Sequence, residues 1–282
     1  MERILAGVDG SAVAARALRW AGALAGSLGA ELHVATVLPP AARDLPAAVA
    51  RELRDARRRL LEGEWCAELD PALERRTYLL EGHPGAVLAG LAEELAVGLV
   101  AVGTEGHSGV FGVGLGSTAL HLAHHLAVAL LVVGPRSVEP PLERIVVGLD
   151  GSVHSAAAAE AALSRAAATG ASLTAAYVYQ PPLEWTPPTD PTSWRRRAAA
   201  ELEEWAAPLR GRGVEVSTRY LPLANPVLGL GDVVERVDAD LLVVGARGRG
   251  GFLGLRVGGV SLQALRHARG PVLLAPAAPG QP

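Results

Sequence analysis

The chain has 282 residues, which suits two domains of ordinary size, and half of its residues are hydrophobic. A formal net charge of -3 gives no electrostatic footprint for nucleic acid. No apolar run reaches the roughly 20 residues of a membrane span, and no signal-peptide pattern is present, so we expect a cytoplasmic protein.

Strand and helix patterns alternate through the first half of the chain. Residues 4–8 form an apolar run too short for a helix, and Ser11 is a suitable N-cap for the amphipathic helix that follows. Gly29 ends that helix. The next predicted elements are a strand at 32–38, a helix at 47–69, a strand at 77–80, a helix at 84–96, a strand at 99–102, a helix at 117–126 and a strand at 129–133.

The second half repeats the first. ERILAGVDGS at 2–11 returns as ERIVVGLDGS, 141 residues later. GTEG, nine residues and GS, starting at 103, return as GARG, nine residues and GG, starting at 245. Strands are predicted at 145–149, 173–179, 214–220, 241–244 and 272–275. We therefore predict domains at 1–137 and 143–278, with a proline-rich linker at 136–142.

The alternation of apolar strands with helices predicts an α/β fold. Each half is expected to be a doubly wound domain with a five-stranded parallel sheet between helices. Ligands in such sheets bind beyond the carboxyl ends of the strands, at the point where the strand order reverses. The Asp-Gly-Ser motif and the glycine-rich loop both follow strands, so they are expected at that edge.

Composition also excludes several kinds of chemistry. All 26 positions counted as lysine or arginine are arginine. A Walker-type phosphate loop and Schiff-base catalysis both need a lysine, so neither is present. The single cysteine, Cys66, excludes an internal disulfide and a thiolate metal cluster. His121, His124 and His125 lie at helical spacing, but no carboxylate or cysteine accompanies them, so we expect no metal site.

The glycine-rich loop suits a phosphate. In the first half it runs from Gly103 to Gly116, where Ser117 begins a helix. Glycines allow a close approach to a ligand, and the N–H groups of Gly116, Ser117 and Thr118 at a helix start suit an anion. Asp9, at the end of the first strand, can accept hydrogen bonds from ribose hydroxyls or an adenine amine. A flexible surface loop is the alternative, but the spacing recurs in both halves.

The combination of motifs resembles the universal stress protein family in its tandem form. The resemblance rests on VDGS at 8–11, on the glycine pattern from 103 to 117, and on GARGRGGFLGL at 245–255 with HARGPVLL at 267–274. It covers both halves nearly end to end and implies a Rossmann-like, adenine-nucleotide-binding fold. It also implies that the last strands, 130–133 and 272–274, pair across a pseudo-two-fold axis within one chain, which would cover their exposed edges.

In the ATP-binding branch of that family the loop holds the phosphates, the first-strand aspartate contacts the nucleoside, and the end of the second strand meets adenine. By this resemblance, the site residues of the first half are Val8, Asp9, Val37, Gly103, Gly106, Gly116, Ser117 and Thr118. Those of the second half are Leu149, Asp150, Val178, Gly245, Arg247, Gly248, Gly258, Gly259 and Val260.

The two loops differ in charge. Glu105 stands in the first loop where Arg247 stands in the second. A carboxylate opposes polyphosphate, whereas arginine offers it a forked donor. Gly259 replaces the family's Ser or Thr, which removes a hydroxyl hydrogen bond worth about 0.5–1.5 kcal/mol. We therefore expect two sites of unequal affinity, with the second binding ATP more tightly.

The expected function is a non-catalytic, regulatory adenine-nucleotide-binding protein with a role in stress response. ATP is the expected ligand, with ADP or AMP as alternatives and Mg²⁺ as an accompanying ion. No recognisable motif supplies a general base, yet slow ATP hydrolysis or adenylyl transfer stays an alternative, as does a nucleotide-free interaction scaffold. The sequence leaves open the identity of a protein partner and the formation of a homodimer.

Overall fold

A computed structural model describes residues 2–105, 114–179, 191–222, 225–249, 256–268 and 270–276, without the side chains of 191–194. The chain divides into two units, Met1–Pro141 and Leu142–Pro282. The finer bounds 1–137 and 143–278 remain a proposal. Across the described ranges, no helix has both the length and the apolar character needed to cross a membrane.

Both units alternate strands and helices. The first contains β1 (Arg3–Gly7), α1 (Ala12–Leu28), β2 (Glu31–Leu38), α2 (Ala47–Glu62), β3 (Arg75–Glu81), α3 (Pro84–Glu94), β4 (Leu99–Gly103), α4 (Ser117–His125) and β5 (Ala129–Val133). The second contains β6 (Arg144–Gly148), α5 (Val153–Thr169), β7 (Ser172–Val178), α6 (Pro191–Ala206), β8 (Val216–Leu221), α7 (Pro226–Arg236), β9 (Leu241–Gly245), α8 (Gly259–His267) and β10 (Val272–Ala275).

The described strands of each unit are parallel, which confirms the predicted fold class. Their order is β3-β2-β1-β4-β5 in the first unit and β10-β9-β6-β7-β8 in the second. The chain winds outward from β1 to β3 and then returns past β1 to β4. This reversal leaves a crevice at the carboxyl ends of β1 and β4, and likewise of β6 and β9, where ligands bind in such sheets.

In each unit, a glycine at the end of one central strand allows the first turn of a helix to pack directly against the sheet, α1 on β4 and α5 on β9. A Cβ on Gly103, the last residue of β4, would lie 3.0 Å from Val13 Cγ1 and 3.2 Å from Ala14 N. A Cβ on Gly245, the last residue of β9, would lie 2.6 Å from the carbonyl of His154. These two glycines therefore have a packing role, which the sequence motif alone did not predict.

The predicted caps of the first helix are confirmed. Ser11 Oγ accepts a hydrogen bond from Ala14 N at 3.2 Å, and Gly29 adopts the left-handed conformation at φ 61°. Ser152 Oγ accepts one from Ser155 N at 3.1 Å in the second unit. Each cap satisfies a backbone N–H of the first helical turn and fixes where the helix begins beside the strand end.

The helix predicted at 47–69 is wrong at its end. α2 stops at Glu62, because Gly63 leaves the helical conformation at φ -103° and ψ -91°. A Cβ at Gly63 would lie 2.9 Å from Arg59 O, so the glycine permits this break. A 3₁₀ turn at Glu64–Cys66 follows, and it carries Trp65. The other predicted bounds agree with the observed ones within two residues.

Part of the segment predicted as a linker, 136–142, packs against α1. Trp20, which is fully buried, donates from Nε1 to Val138 O at 2.8 Å. The Glu139 carboxylate accepts a hydrogen bond from Arg19 Nε at 2.8 Å. These contacts attach the end of the first unit to its first helix.

Candidate functional site

A cavity lies beyond the carboxyl ends of β1, β2 and β4 in the first unit. Its volume is about 510 Å³, within the roughly 300–1,000 Å³ of small-molecule sites. The turn after β1, the end of β4 and the start of α4 line it. Of the predicted residues, it brings together Val8, Asp9, Val37, Gly103, Gly116, Ser117 and Thr118. Gly106 lies outside the described residues.

The second unit has the corresponding cavity, of about 310 Å³. It is formed by the turn after β6, the end of β9, the loop that follows β9 and the start of α8. It brings together every residue predicted for this half, namely Leu149, Asp150, Val178, Gly245, Arg247, Gly248, Gly258, Gly259 and Val260.

The Asp-Gly-Ser motif forms a tight turn at the mouth of each cavity. Asp9 Oδ1 accepts a hydrogen bond from Ser11 N at 2.9 Å, and the glycine between them has φ 88°. Gly151, at φ 76°, occupies the same place in the second unit. Glycine adopts this left-handed conformation without strain, so the motif bends the chain sharply and leaves the aspartate at the cavity wall.

The glycine loop of the second unit is closed onto its aspartate. Ser152 N donates to Asp150 Oδ1 at 3.0 Å, and Arg249 N donates to Oδ2 at 3.0 Å. A Cβ on Gly248 would lie 2.5 Å from the same Oδ2, so glycine is required for this approach. Both carboxylate oxygens therefore have backbone partners, and a ligand hydroxyl at Oδ2 must share or displace the Arg249 bond.

The helix after each loop presents its N-terminus to the cavity. No side chain caps α4, which begins at Ser117, or α8, which begins at Gly259. Gly116 N donates to Thr104 O at 2.6 Å, and Gly258 N makes the equivalent bond at 2.7 Å. This corrects our assignment of the Gly116 N–H to a phosphate, because that N–H is used in a backbone hydrogen bond between the two ends of the loop. The first-turn N–H groups that follow, at the positive end of the helix dipole, form the anion-binding element.

Two tryptophans that the sequence reasoning missed cover the Asp-Gly-Ser turns. A Cβ on Gly10 would lie 2.6 Å from Trp65 Cζ2, and one on Gly151 would lie 2.6 Å from Trp205 Cζ2. Trp65 and Trp205 are separated by nearly the repeat length, and that correspondence was the signal available in the sequence. The indoles leave no room for a side chain at the centre of either turn.

An arginine lies over each indole, but the two come from different elements. Arg57 of α2 lies 5.3 Å from the centroid of the Trp65 ring and donates from Nη1 to Asp9 O at 3.1 Å. Arg249, in the loop after β9, lies 5.2 Å from the ring of Trp205. Both distances fall within the approximately 6 Å reach of a cation–π interaction. Each arginine also donates a hydrogen bond to the aspartate of its turn, so it links the tryptophan to that turn.

The first cavity carries mixed charge. Arg57 and Glu105 both line it, so the cation offsets part of the repulsion that Glu105 exerts on an anion. Thr104 also lines it, and its Oγ1 is buried without a hydrogen-bond partner among the described residues.

In the second cavity the predicted Arg247 is held by a histidine that the sequence reasoning missed. Arg247 Nε donates to His154 Nε2 at 3.1 Å. His154 lies in the first turn of α5 and is 6% exposed. Burial, and secondarily the charge of Arg247, lower the pKa of His154, whereas Asp150 raises it. Arginine has no acceptor, so this hydrogen bond requires a neutral imidazole.

Two of the three histidines of α4, His121 and His125, pack against each other. The rings of His121 and His125 are stacked at 4.0 Å, and His125 Nδ1 lies 2.7 Å from His121 O. In the described part of the chain, no group of three or more His, Cys, Asp or Glu residues could hold a metal ion.

Comparison with known proteins gives the family. The model of the universal stress protein family matches residues 1–134 and again 141–276. Universal stress protein Rv1996 of Mycobacterium tuberculosis is 28% identical over 306 residues, covering 96% of this chain and 94% of the relative. A universal stress protein of Mycolicibacterium smegmatis is 29% identical over 287 residues, covering 96% of both.

Solved structures show the same fold. The crystal structure of a universal stress protein from Archaeoglobus fulgidus superposes with a TM-score of 0.72, covering 98% of each chain. Its sequence identity is 20%, so the likeness concerns the fold alone.

Proposed function

Because the chain belongs to the universal stress protein family, we propose that each of its two units binds one adenine nucleotide, with ATP as the leading ligand. ADP and AMP are the alternatives. The observation that carries this proposal is the same in both units. One cavity is flanked by an aspartate turn on one side and by an uncapped helix N-terminus on the other.

Each part of a nucleotide has a matching wall. The first-turn N–H groups of α4 and α8 suit the phosphates. The carboxylates of Asp9 and Asp150 suit ribose hydroxyls. Val37 in the first unit and Val178 in the second, on the strands beside these turns, supply an apolar wall for adenine.

Mg²⁺ enters this proposal together with ATP. The described residues offer no group of three or more metal-ligating side chains. Mg²⁺ is commonly bound through one or two carboxylates, substrate phosphates and water, so such a group is not required.

The proposed role is regulatory, through nucleotide-dependent conformation or binding of a protein partner in the cytoplasm, with catalysis absent. The carboxylates of the two turns support this, because each already accepts a backbone N–H. Slow ATP hydrolysis is the second candidate. A nucleotide-free scaffold is the third.

Calorimetric titration with ATP and Mg²⁺, followed by a phosphate-release assay on the same sample, separates the candidates. We expect saturable binding and negligible turnover. Multiple turnovers that disappear in the Asp9→Asn, Asp150→Asn double variant would establish the enzyme. Absence of both heat and thermal shift with ATP, ADP and AMP would establish the scaffold.

A further inference from the structure

The second cavity has an arginine that is held by a buried histidine, Arg247 with His154, and the first cavity has no corresponding pair. Arg247 Nε donates to His154 Nε2 at 3.1 Å, and Arg247 is one of the residues that line the cavity. The structurally corresponding residues of the first unit, Val13 and Glu105, cannot form such a pair. The first unit is therefore an internal control for anything that this pair does.

The hydrogen bond uses one of the five N–H groups of the guanidinium. The four on Nη1 and Nη2 stay in the same plane and are held in one orientation. His154 is itself fixed, because it is buried in the first turn of α5 and its carbonyl packs under the last residue of β9. A long side chain anchored in this way has lost much of its rotamer freedom before any ligand arrives.

The charges that face the imidazole are those of Arg247, from the loop after β9, and Asp150, from the turn before α5. Burial and Arg247 lower the pKa of His154, so the imidazole is neutral at neutral pH and Nε2 is free to accept. Protonation would place an N–H opposite the arginine N–H and break the pair.

We propose that His154 is a positioning residue that holds the Arg247 guanidinium toward the phosphate chain of a ligand bound in the second unit. This inference rests on the proposed function only in that the phosphates belong to a nucleotide. Loss of the acceptor should weaken polyphosphate binding by about three- to tenfold, the scale of immobilising one long side chain on binding.

Two variants test the acceptor. His154→Gln places an amide oxygen near the position of Nε2, whereas His154→Leu keeps bulk and removes the acceptor. Both are made in a Ser117→Leu background. The leucine places a bulky side chain at the start of α4 and should prevent the first unit from binding a ligand. Affinity for ATP and for tripolyphosphate should fall three- to tenfold in the leucine variant and be restored in the glutamine variant. Adenosine, which has no phosphate, should bind all variants alike.

The pH dependence of ATP affinity tests the same role without the His154→Leu variant, which removes a buried polar side chain. The ordinary pKa of histidine is 6.5. As pH falls below this value, the second unit of the Ser117→Leu protein should lose affinity for ATP more steeply than the second unit of the Ser117→Leu, His154→Gln double variant. Protonation of the ligand affects both equally. Equal pH profiles, or full ATP affinity in the leucine variant, would overturn the positioning role. If ATP fails to bind but tripolyphosphate binding depends on His154, the positioning role holds and the nucleotide proposal fails. If neither ligand binds, both fail.

Discussion

The backbone N–H of Arg249 donates to Asp150 Oδ2 at 3.0 Å, so one carboxylate oxygen of the second unit already accepts a hydrogen bond from the loop after β9. If a ribose hydroxyl displaces the Arg249 N–H from this oxygen, the Arg249 hydrogen bond is lost. Amide hydrogen exchange at Arg249 should then speed up, by about threefold or more, when adenosine binds. The N–H of Ser152, on the other oxygen of Asp150, serves as the control and should not change. Unchanged exchange at both amides in the saturated protein would refute displacement of the Arg249 N–H by the ribose.

Gly259 offers a way to strengthen the second site. It is the first residue of α8, and a Cβ there would meet no atom within 4 Å. Gly259→Ser should therefore add a hydroxyl donor for phosphate worth about 0.5–1.5 kcal/mol, or roughly two- to tenfold in Kd. Gly231→Ser is the matched control, since Gly231 is also a helical glycine with open space around it and does not line the cavity. Calorimetry with ATP measures both, and an effect of equal size in the control would refute the assignment.

The second site should bind polyphosphate more tightly than the first, because Arg247 stands where the first loop has Glu105. Glu105→Arg should tighten ATP binding in the first unit, and Arg247→Glu should weaken it in the second. The gain from Glu105→Arg should be limited, because Arg57 already lines that cavity. Both effects should shrink at high salt, where surface charges are screened. Indifference of the first site to Glu105→Arg would mean that Glu105 faces away from the phosphates.

The tryptophan over each Asp-Gly-Ser turn predicts a stability difference between two glycines. Gly10→Ala must tolerate φ 88° and a Cβ 2.6 Å from Trp65. Gly29→Ala has a similar φ of 61° but open space, so it carries the backbone strain alone. We expect the free energy of unfolding to fall by about 1–2 kcal/mol at Gly29 and by roughly 2–4 kcal/mol at Gly10. Denaturant titration compares them, and equal losses would show that Trp65 moves aside freely.

Glu139 predicts an acid-dependent loss of stability. Hydrogen bonds from Arg19 and, more weakly, Arg16 hold the pKa of Glu139 down at about 2, against an ordinary value of 4.5. A depressed carboxyl pKa adds stability that is complete above 4.5 and disappears as pH falls through about 2. Glu139→Gln should therefore lower the melting temperature at neutral pH and leave it unchanged below pH 2. The effect should be small because the side chain is 45% exposed. Glu68→Gln, which removes an exposed partner of Arg19, is the control.

Local patterns predicted the strand ends and the residues that follow them. Asp9 and Asp150 lie at their cavities because each lies two residues beyond the end of an apolar strand. The hydrophobic period of the strands and their order along the chain are sufficient to predict that position. The Arg247–His154 bond joins residues 93 positions apart, and no local pattern marks it. Trp65 reaches its turn only because Gly63 ends α2 early. Contacts of this kind depend on where the chain breaks, which periodicity does not reveal. Pairing of the two units through their last strands stays a prediction.

The central claim is that each unit binds one nucleotide in the cavity between its aspartate turn and its uncapped helix. Native mass spectrometry of the whole chain with ATP and Mg²⁺ tests it most directly. We expect two ATP molecules on the unmodified chain and one on either Ser117→Leu or Gly259→Leu. The double variant should bind none, while the control Gly231→Leu should keep both. Retention of ATP by the double variant, or an unmodified chain that binds none, would contradict the claim.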